Sequence, residues 1–190
     1  MGSNFETRTI YIHKITDIMN YKKILTTMAL FAFAIFAKAQ VLGVFISDDT
    51  GTPTNVRNAP NGKVVAKLNP DSGIMLAVES QKNGWWKIEN GYYSDPDKDF
   101  EDEYLTGSTT GYWIHYSVLA LGTRNYGGQT LRLRKSPSAR AASVYSFKEE
   151  IKLRPLEIKG DWVKVKTFDG KHTGWIEIEW LCGNSVTNCC

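Results

Sequence analysis

The sequence predicts an all-β chain, two tandem small β-barrels behind an N-terminal signal peptide. Three observations carry that expectation. The chain repeats itself: Val56-Arg57-Asn58-Ala59-Pro60 is echoed by Leu133-Arg134-Lys135-Ser136-Pro137, and Gly84-Trp85-Trp86-Lys87-Ile88 by Asp161-Trp162-Val163-Lys164-Val165, both at an offset of 77 positions. After Gln40 no stretch holds a helical apolar period, and short alternating or β-branched segments recur between turn signals. The five such segments that the two copies share are too few for a sandwich and suit a small closed barrel.

A third echo sets the size of the repeat. Trp113-Ile114 with Leu119 matches Trp175-Ile176 with Leu181, here at an offset of 62, so the first copy carries about 15 extra residues between Ile88 and Trp113. A repeat this long is a whole small domain rather than one turn of a solenoid.

The N-terminus reads as an address. Lys22-Lys23 precede the apolar run 24–36 (ILTTMALFAFAIF), and Ala37-Lys38-Ala39 follows before Gln40. A basic start, a short apolar stretch and an A-x-A site make a secretory signal, with cleavage expected after Ala39. The run is short of the roughly 20 apolar residues of a membrane span, so no transmembrane anchor is expected after cleavage. Residues 1–18 fit no region of a signal, and Met19 is the more natural start. The expected location is periplasmic or extracellular, in a bacterial envelope.

The strands follow in order. Residues 41–46 form the first, then DDTGTP at 48–53 makes a loop, and 54–58 a short strand ending at Ala59-Pro60-Asn61-Gly62. Two more, 64–68 and 74–79, are split by Asn69-Pro70-Asp71-Ser72-Gly73. Residues 85–89 follow, Asn90-Gly91 signals a type I′ hairpin, and 112–118 closes the first copy. The second copy repeats the order with 130–134, 142–147, 152–158, 162–168 and 174–180, with Asp169-Gly170 as its hairpin. Gly-rich LGTRNYGG at 121–128 is the expected linker. The domains are therefore 40–121, with an acidic insertion at 90–110, and 122–190, with a cysteine-bearing tail.

At this point the residues resemble a known family. Asn55-Val56-Arg57 through Pro60, Gly84-Trp85-Trp86-Lys87-Ile88 and Trp113-Ile114 through Leu119, with their echoes in the second copy, are similar to the three ordered motifs of bacterial SH3 (SH3b) domains. The second copy lacks the Asn before its Leu133-Arg134, and the first carries the insertion. The resemblance implies SH3-like barrels that bind peptidoglycan, or a peptide or protein of the envelope. It does not imply one function, because one fold hosts many.

Strand alternation sorts the aromatic residues. In the second copy Val163 and Val165 share the face expected to be core, leaving Trp162 outside, and by register Trp86 and Ile88 point inward while Trp85 points out. Trp85 and Trp162 are the expected ligand platforms. Tyr92, Tyr93, Tyr112 and Tyr116 cluster near the insertion as an aromatic wall with hydroxyls, suited to sugar or peptide.

Other chemistries find little support. The insertion holds Asp95, Asp97, Asp99, Glu101, Asp102 and Glu103, but Phe100 and Thr106 stand where a calcium loop needs Gly and Glu, so no metal or cofactor is expected. Cys182 with His115 or His172 would be the only thiol–imidazole pair, and all lie on strands or turns of the repeats, so no enzyme is expected, a small Cys-dependent cell-wall hydrolase being the distant alternative. In an oxidising compartment two of Cys182, Cys189 and Cys190 can pair. Residues 40–121 carry 6 basic and 11 acidic side chains, and 122–190 carry 12 and 7. Opposite signs suit barrels packed on each other, or an assembly factor docking a protein partner. Export argues against nucleic acid as the partner of the basic residues Arg132, Arg134, Lys135 and Arg140.

Overall fold

Alternation along the strands decides what this chain buries. In the strand Leu131–Arg134, Leu131 and Leu133 are buried while Arg132 is exposed, and in Trp162–Thr167 the valines and Thr167 are buried while Trp162, Lys164 and Lys166 are only half covered. Successive side chains of a strand point to opposite faces, so each strand contributes one apolar row. The computed structural model describes residues 40–69, 73–93, 103–104 and 109–184; the expected signal segment lies outside them.

Among the described residues fourteen strands run in chain order. The first repeat contributes β1 (Leu42–Ile46), β2 (Thr54–Arg57), β3 (Val64–Leu68), β4 (Ile74–Lys82), β5 (Trp85–Tyr93), β6 (Glu103–Tyr104), β7 (Trp113–His115) and β8 (Leu119–Thr123). The second contributes β9 (Leu131–Arg134), β10 (Ser143–Phe147), β11 (Lys152–Lys159), β12 (Trp162–Thr167), β13 (Thr173–Glu177) and β14 (Leu181–Cys182). Short 3₁₀ turns, Tyr116–Val118 and Ile178–Trp180, precede β8 and β14. The expected closing strands 112–118 and 174–180 are thus each a short strand followed by a tight turn. All described pairings are antiparallel, and these strands form one sheet in the order β10-β9-β13-β12-β11-β8-β1-β4-β5-β7-β2-β3, with β14 on β8 and β6 on β5. The fold is all-β, and among the described pairings this sheet stays open.

The register shows how the repeats join. β1 pairs β4 through Val44↔Leu76 and Phe45↔Met75, and β8 through Phe45↔Ala120 and Ile46↔Leu119. β8 pairs β11 through Leu121↔Leu153 and Gly122↔Lys152, and β14 through Gly122↔Cys182 and Thr123↔Leu181. Shifting the first set by the offsets of 77 and 62 yields the second. β8 is therefore the last strand of the first repeat and the first strand of the second. The expected linker at 121–128 is half strand, and the expected boundary after residue 121 falls inside β8. Leu121 has no exposed surface, because its side chain belongs to the apolar cluster that both repeats build.

A second expectation is also corrected. Asn90-Gly91 makes no hairpin; both lie inside β5, opposite Ala77 and Leu76 of β4. The tight turn between β4 and β5 is Asn83-Gly84, whose φ values of 52° and 83° are the paired positive angles of a type I′ turn. With that turn closing the ladder earlier, β5 can run on to Tyr93. Asp169-Gly170 does join β12 to β13, with Gly170 at φ 74°.

One apolar cluster spans both repeats, from Val44, Val56, Trp86 and Ile114 to Leu133, Leu153, Val163 and Ile176. Polar contacts reinforce it. The buried Trp86 indole Nε1 donates to the Pro155 carbonyl at 3.1 Å. Arg154 Nη1 donates to the Ser47 and Leu119 carbonyls at 2.8 and 2.9 Å, and its guanidinium lies 3.8 Å from the Phe168 ring centre. Arg154 stands at the repeat position of Ala77, so this staple has no counterpart in the first copy.

Candidate functional site

Trp85 opens β5 directly after the type I′ turn. Its cross-strand partner in β7 is His115, and the two rings lie 5.0 Å apart at 59°. His115 also meets the Tyr116 ring at 4.6 Å and 47°. Gly84 makes this packing possible: a Cβ there would come within 3.2 Å of both His115 Nε2 and Tyr116 Cδ1. Arg57, at the end of β2, places its guanidinium 5.7 Å from the centre of the Trp85 ring, while its Nη1 donates to Gly62 O at 2.7 Å. Asp48, in the loop after β1, accepts from Thr54 Oγ1 at 2.7 Å and from the Thr50 amide at 3.2 Å.

Asp48, Arg57, Trp85 and His115 line a cleft of about 390 Å³, with Asn55 and Val118 completing its polar and apolar sides. Burial pushes the Asp48 carboxyl up, but the hydrogen bonds from Thr54 and Thr50 together outweigh it and hold the group below its ordinary value. Burial lowers His115, so its imidazole is held neutral, with Nδ1 accepting from the Ser117 amide at 3.4 Å and facing Ser117 Oγ at 2.8 Å. At neutral pH the cleft thus offers a carboxylate, a guanidinium and an aromatic wall. That set suits a ligand with a cationic and an anionic group around a small apolar body.

The second repeat has a cleft at the same place, of about 180 Å³. Arg132, Arg134, Glu177 and Trp180 line it at the repeat positions of Asn55, Arg57, His115 and Val118. Arg134 holds its turn as Arg57 does, donating to Ala141 O at 2.9 Å. Trp180 Nε1 donates to Glu177 Oε2 at 3.2 Å.

Of the residues expected from sequence, Trp85 lines the first cleft, although it is only 8% exposed. Trp162 is half-buried opposite Glu177 and does not line the second cleft; Trp180 does. Tyr112 and Tyr116 are partly buried and pack against the core, and the Tyr116 ring also lies on His115. Tyr92 and Tyr93 sit at the far end of β5, seven and eight residues from Trp85, opposite Met75 and Ile74, and their side chains lie outside the described residues. Cys182 is buried and disulfide-bonded; Cys189 and Cys190, the only other cysteines, lie outside the described residues. Most of the acidic insertion also lies outside them. Sequence reasoning missed Asp48, Arg57 and His115 as cleft residues. The signal was Arg57 itself, which recurs as Arg134 in the repeated motif.

An all-β sheet with an aromatic-lined cleft at one place in each repeat has the build of a binding module. Comparison with known families agrees for the second repeat: residues 129–181 match the bacterial SH3 domain. No curated protein matches the chain. Among solved structures, NlpC1 from Trichomonas vaginalis is similar at 10% identity and a TM-score of 0.29, over 76% of this chain and 46% of that one. NlpC2 from the same organism is similar at the same identity and TM-score, over 76% and 49%. The chain spans about half the length of either, and a superposition this loose carries neither fold nor function.

Proposed function

We propose that the chain is an exported, non-catalytic binding protein of the bacterial envelope, in which both repeats are SH3-type barrels sharing β8. Its ligand is peptidoglycan or an envelope peptide. The observation that carries this reading is the first cleft, where Trp85 stands against His115 and Arg57 and Asp48 lines the same cleft. A peptide with free amino and carboxyl groups presents the complementary set, an ammonium for Asp48 and a carboxylate for Arg57. The disulfide at Cys182 supports the non-catalytic reading, because a disulfide sulfur cannot act as a nucleophilic thiolate.

The test is retention of the full chain on purified peptidoglycan at low and high salt. Wild-type protein is expected to stay bound. Trp85→Ala should weaken retention about thirtyfold, the size of a hot-spot loss. Because Trp85 is also packed, Asp48→Asn serves as the second variant: it keeps the side-chain size, removes the charge, and should weaken binding, with its fold checked by circular dichroism because the carboxylate also accepts from Thr54 and Thr50. If the wild-type chain is not retained, the wall ligand is wrong and a protein partner of the envelope takes its place.

A further inference from the structure

The two clefts occupy one place in the repeat but differ in charge. Asp48, which lines the first cleft, has Asn125 as its repeat counterpart, and Asn125 is buried with its Nδ2 donating to the Gln129 carbonyl at 2.7 Å and to the Lys148 carbonyl. Asn55 of the first cleft becomes Arg132 in the second. The exchange removes an acid and adds a guanidinium. Glu177 offsets part of that change, but its Oε2 is occupied by the Trp180 indole.

Arg132 and Arg134 stand two residues apart on one strand, on the face opposite the buried Leu131 and Leu133. Arg134 uses Nη1 on Ala141 O, and the one bond of Arg132 is a long 3.3 Å contact to Thr130 O. The described ion pairs, Lys87–Glu79 and Lys171–Asp169, include neither arginine. Among the described residues these two forked donors have no ion-paired carboxylate, Glu177 of the same cleft included, and they stand in a concave site beside an indole. An oxyanion completes them, since guanidinium takes a carboxylate or phosphate through parallel N–H···O bonds.

We propose that the second cleft is an oxyanion-binding site, with Arg132 and Arg134 as its donors and Trp180 as its apolar wall, and that a peptide C-terminal carboxylate is the group it takes. The site stands whether or not the first cleft binds wall peptide, because its readout is local to residues of the second repeat.

The experiment follows the Trp180 indole N–H by NMR in the ¹⁵N-labelled full chain. The probes are N-acetyl-alanyl-alanine, its C-terminal amide and inorganic phosphate, each at millimolar concentration and at two ionic strengths. The dipeptide acid is expected to shift the Trp180 signal and leave that of Trp85 in place, with the amide binding about tenfold more weakly or worse. Arg132→Asn, which installs the residue of the first cleft, should abolish that preference. Arg132 is exposed, so the variant is expected to keep its fold. Arg132→Lys should bind in between, because it keeps the charge and loses the fork. A stronger response to phosphate than to the dipeptide would keep the oxyanion site and overturn the carboxylate as its natural group. Equal binding of acid and amide, or no shift at Trp180 with any probe, would overturn the site itself, even if wall retention through Trp85 is intact.

Discussion

Replacing Leu121 by alanine tests the shared strand most directly. Leu121 has no exposed surface, pairs with Leu153 of the second repeat, and lies on the strand whose first residues pair with β1 of the first. Truncating a fully buried leucine removes its transfer free energy and leaves a cavity, a loss of about 3 kcal/mol. For a chain of this size the urea slope is on the order of 2 kcal/mol per molar, so the midpoint should fall by roughly 1.5 M. The informative part is the shape of the transition. Because β8 completes both repeats and one apolar cluster runs through them, neither repeat can unfold and leave the other whole. Tryptophan fluorescence and far-ultraviolet circular dichroism should therefore report one coincident transition. Val44→Ala in the first repeat and Val165→Ala in the second should both move that same transition. Two separable transitions, with Val44→Ala moving one and Val165→Ala the other, would refute the shared-strand account.

Two further outcomes follow from the first cleft. Gly84→Ala forces a side chain into φ 83° and brings its Cβ within 3.2 Å of His115 and Tyr116, so it should cost about 1–2 kcal/mol and appear as a lower thermal midpoint with a disturbed His115 signal. The pH dependence has a definite sign: His115 has a folded-state value below its ordinary 6.5, so between the two values the unfolded chain binds more protons than the folded one. Its contribution is fully present above pH 6.5 and is lost as pH falls from there through the folded value. His115→Gln should flatten that part of a urea-midpoint series, and an unchanged slope would show that burial of the imidazole is not its cause.

Much of this was legible in the residues. The offsets of 77 and 62 located the equivalent strands, and alternation placed Val163, Val165, Trp86 and Ile88 inside, where all four are buried. Asn90-Gly91 misled because an Asn-Gly pair is a turn only where the two flanking strands can pair with each other. Here β4 was already paired through Asn83-Gly84, and the second Asn-Gly was drawn into the ladder. Tyr112 and Tyr116 flank β7 and are partly buried against the core, and the Tyr116 ring also meets His115 of the cleft at 4.6 Å.

The sequence by itself determined the β class, the repeat and its length, and the inward rows, because these depend on side-chain period and turn chemistry within a few residues. Tertiary structure alone decided that β8 serves both repeats, that Arg154 and Trp86 join them, and that His115, Asp48 and Arg57 meet Trp85. Those contacts depend on pairings between distant strands. The same apolar strand Leu119–Thr123 is compatible with one neighbouring sheet or two, and only packing of the whole chain selects the arrangement that buries both of its faces.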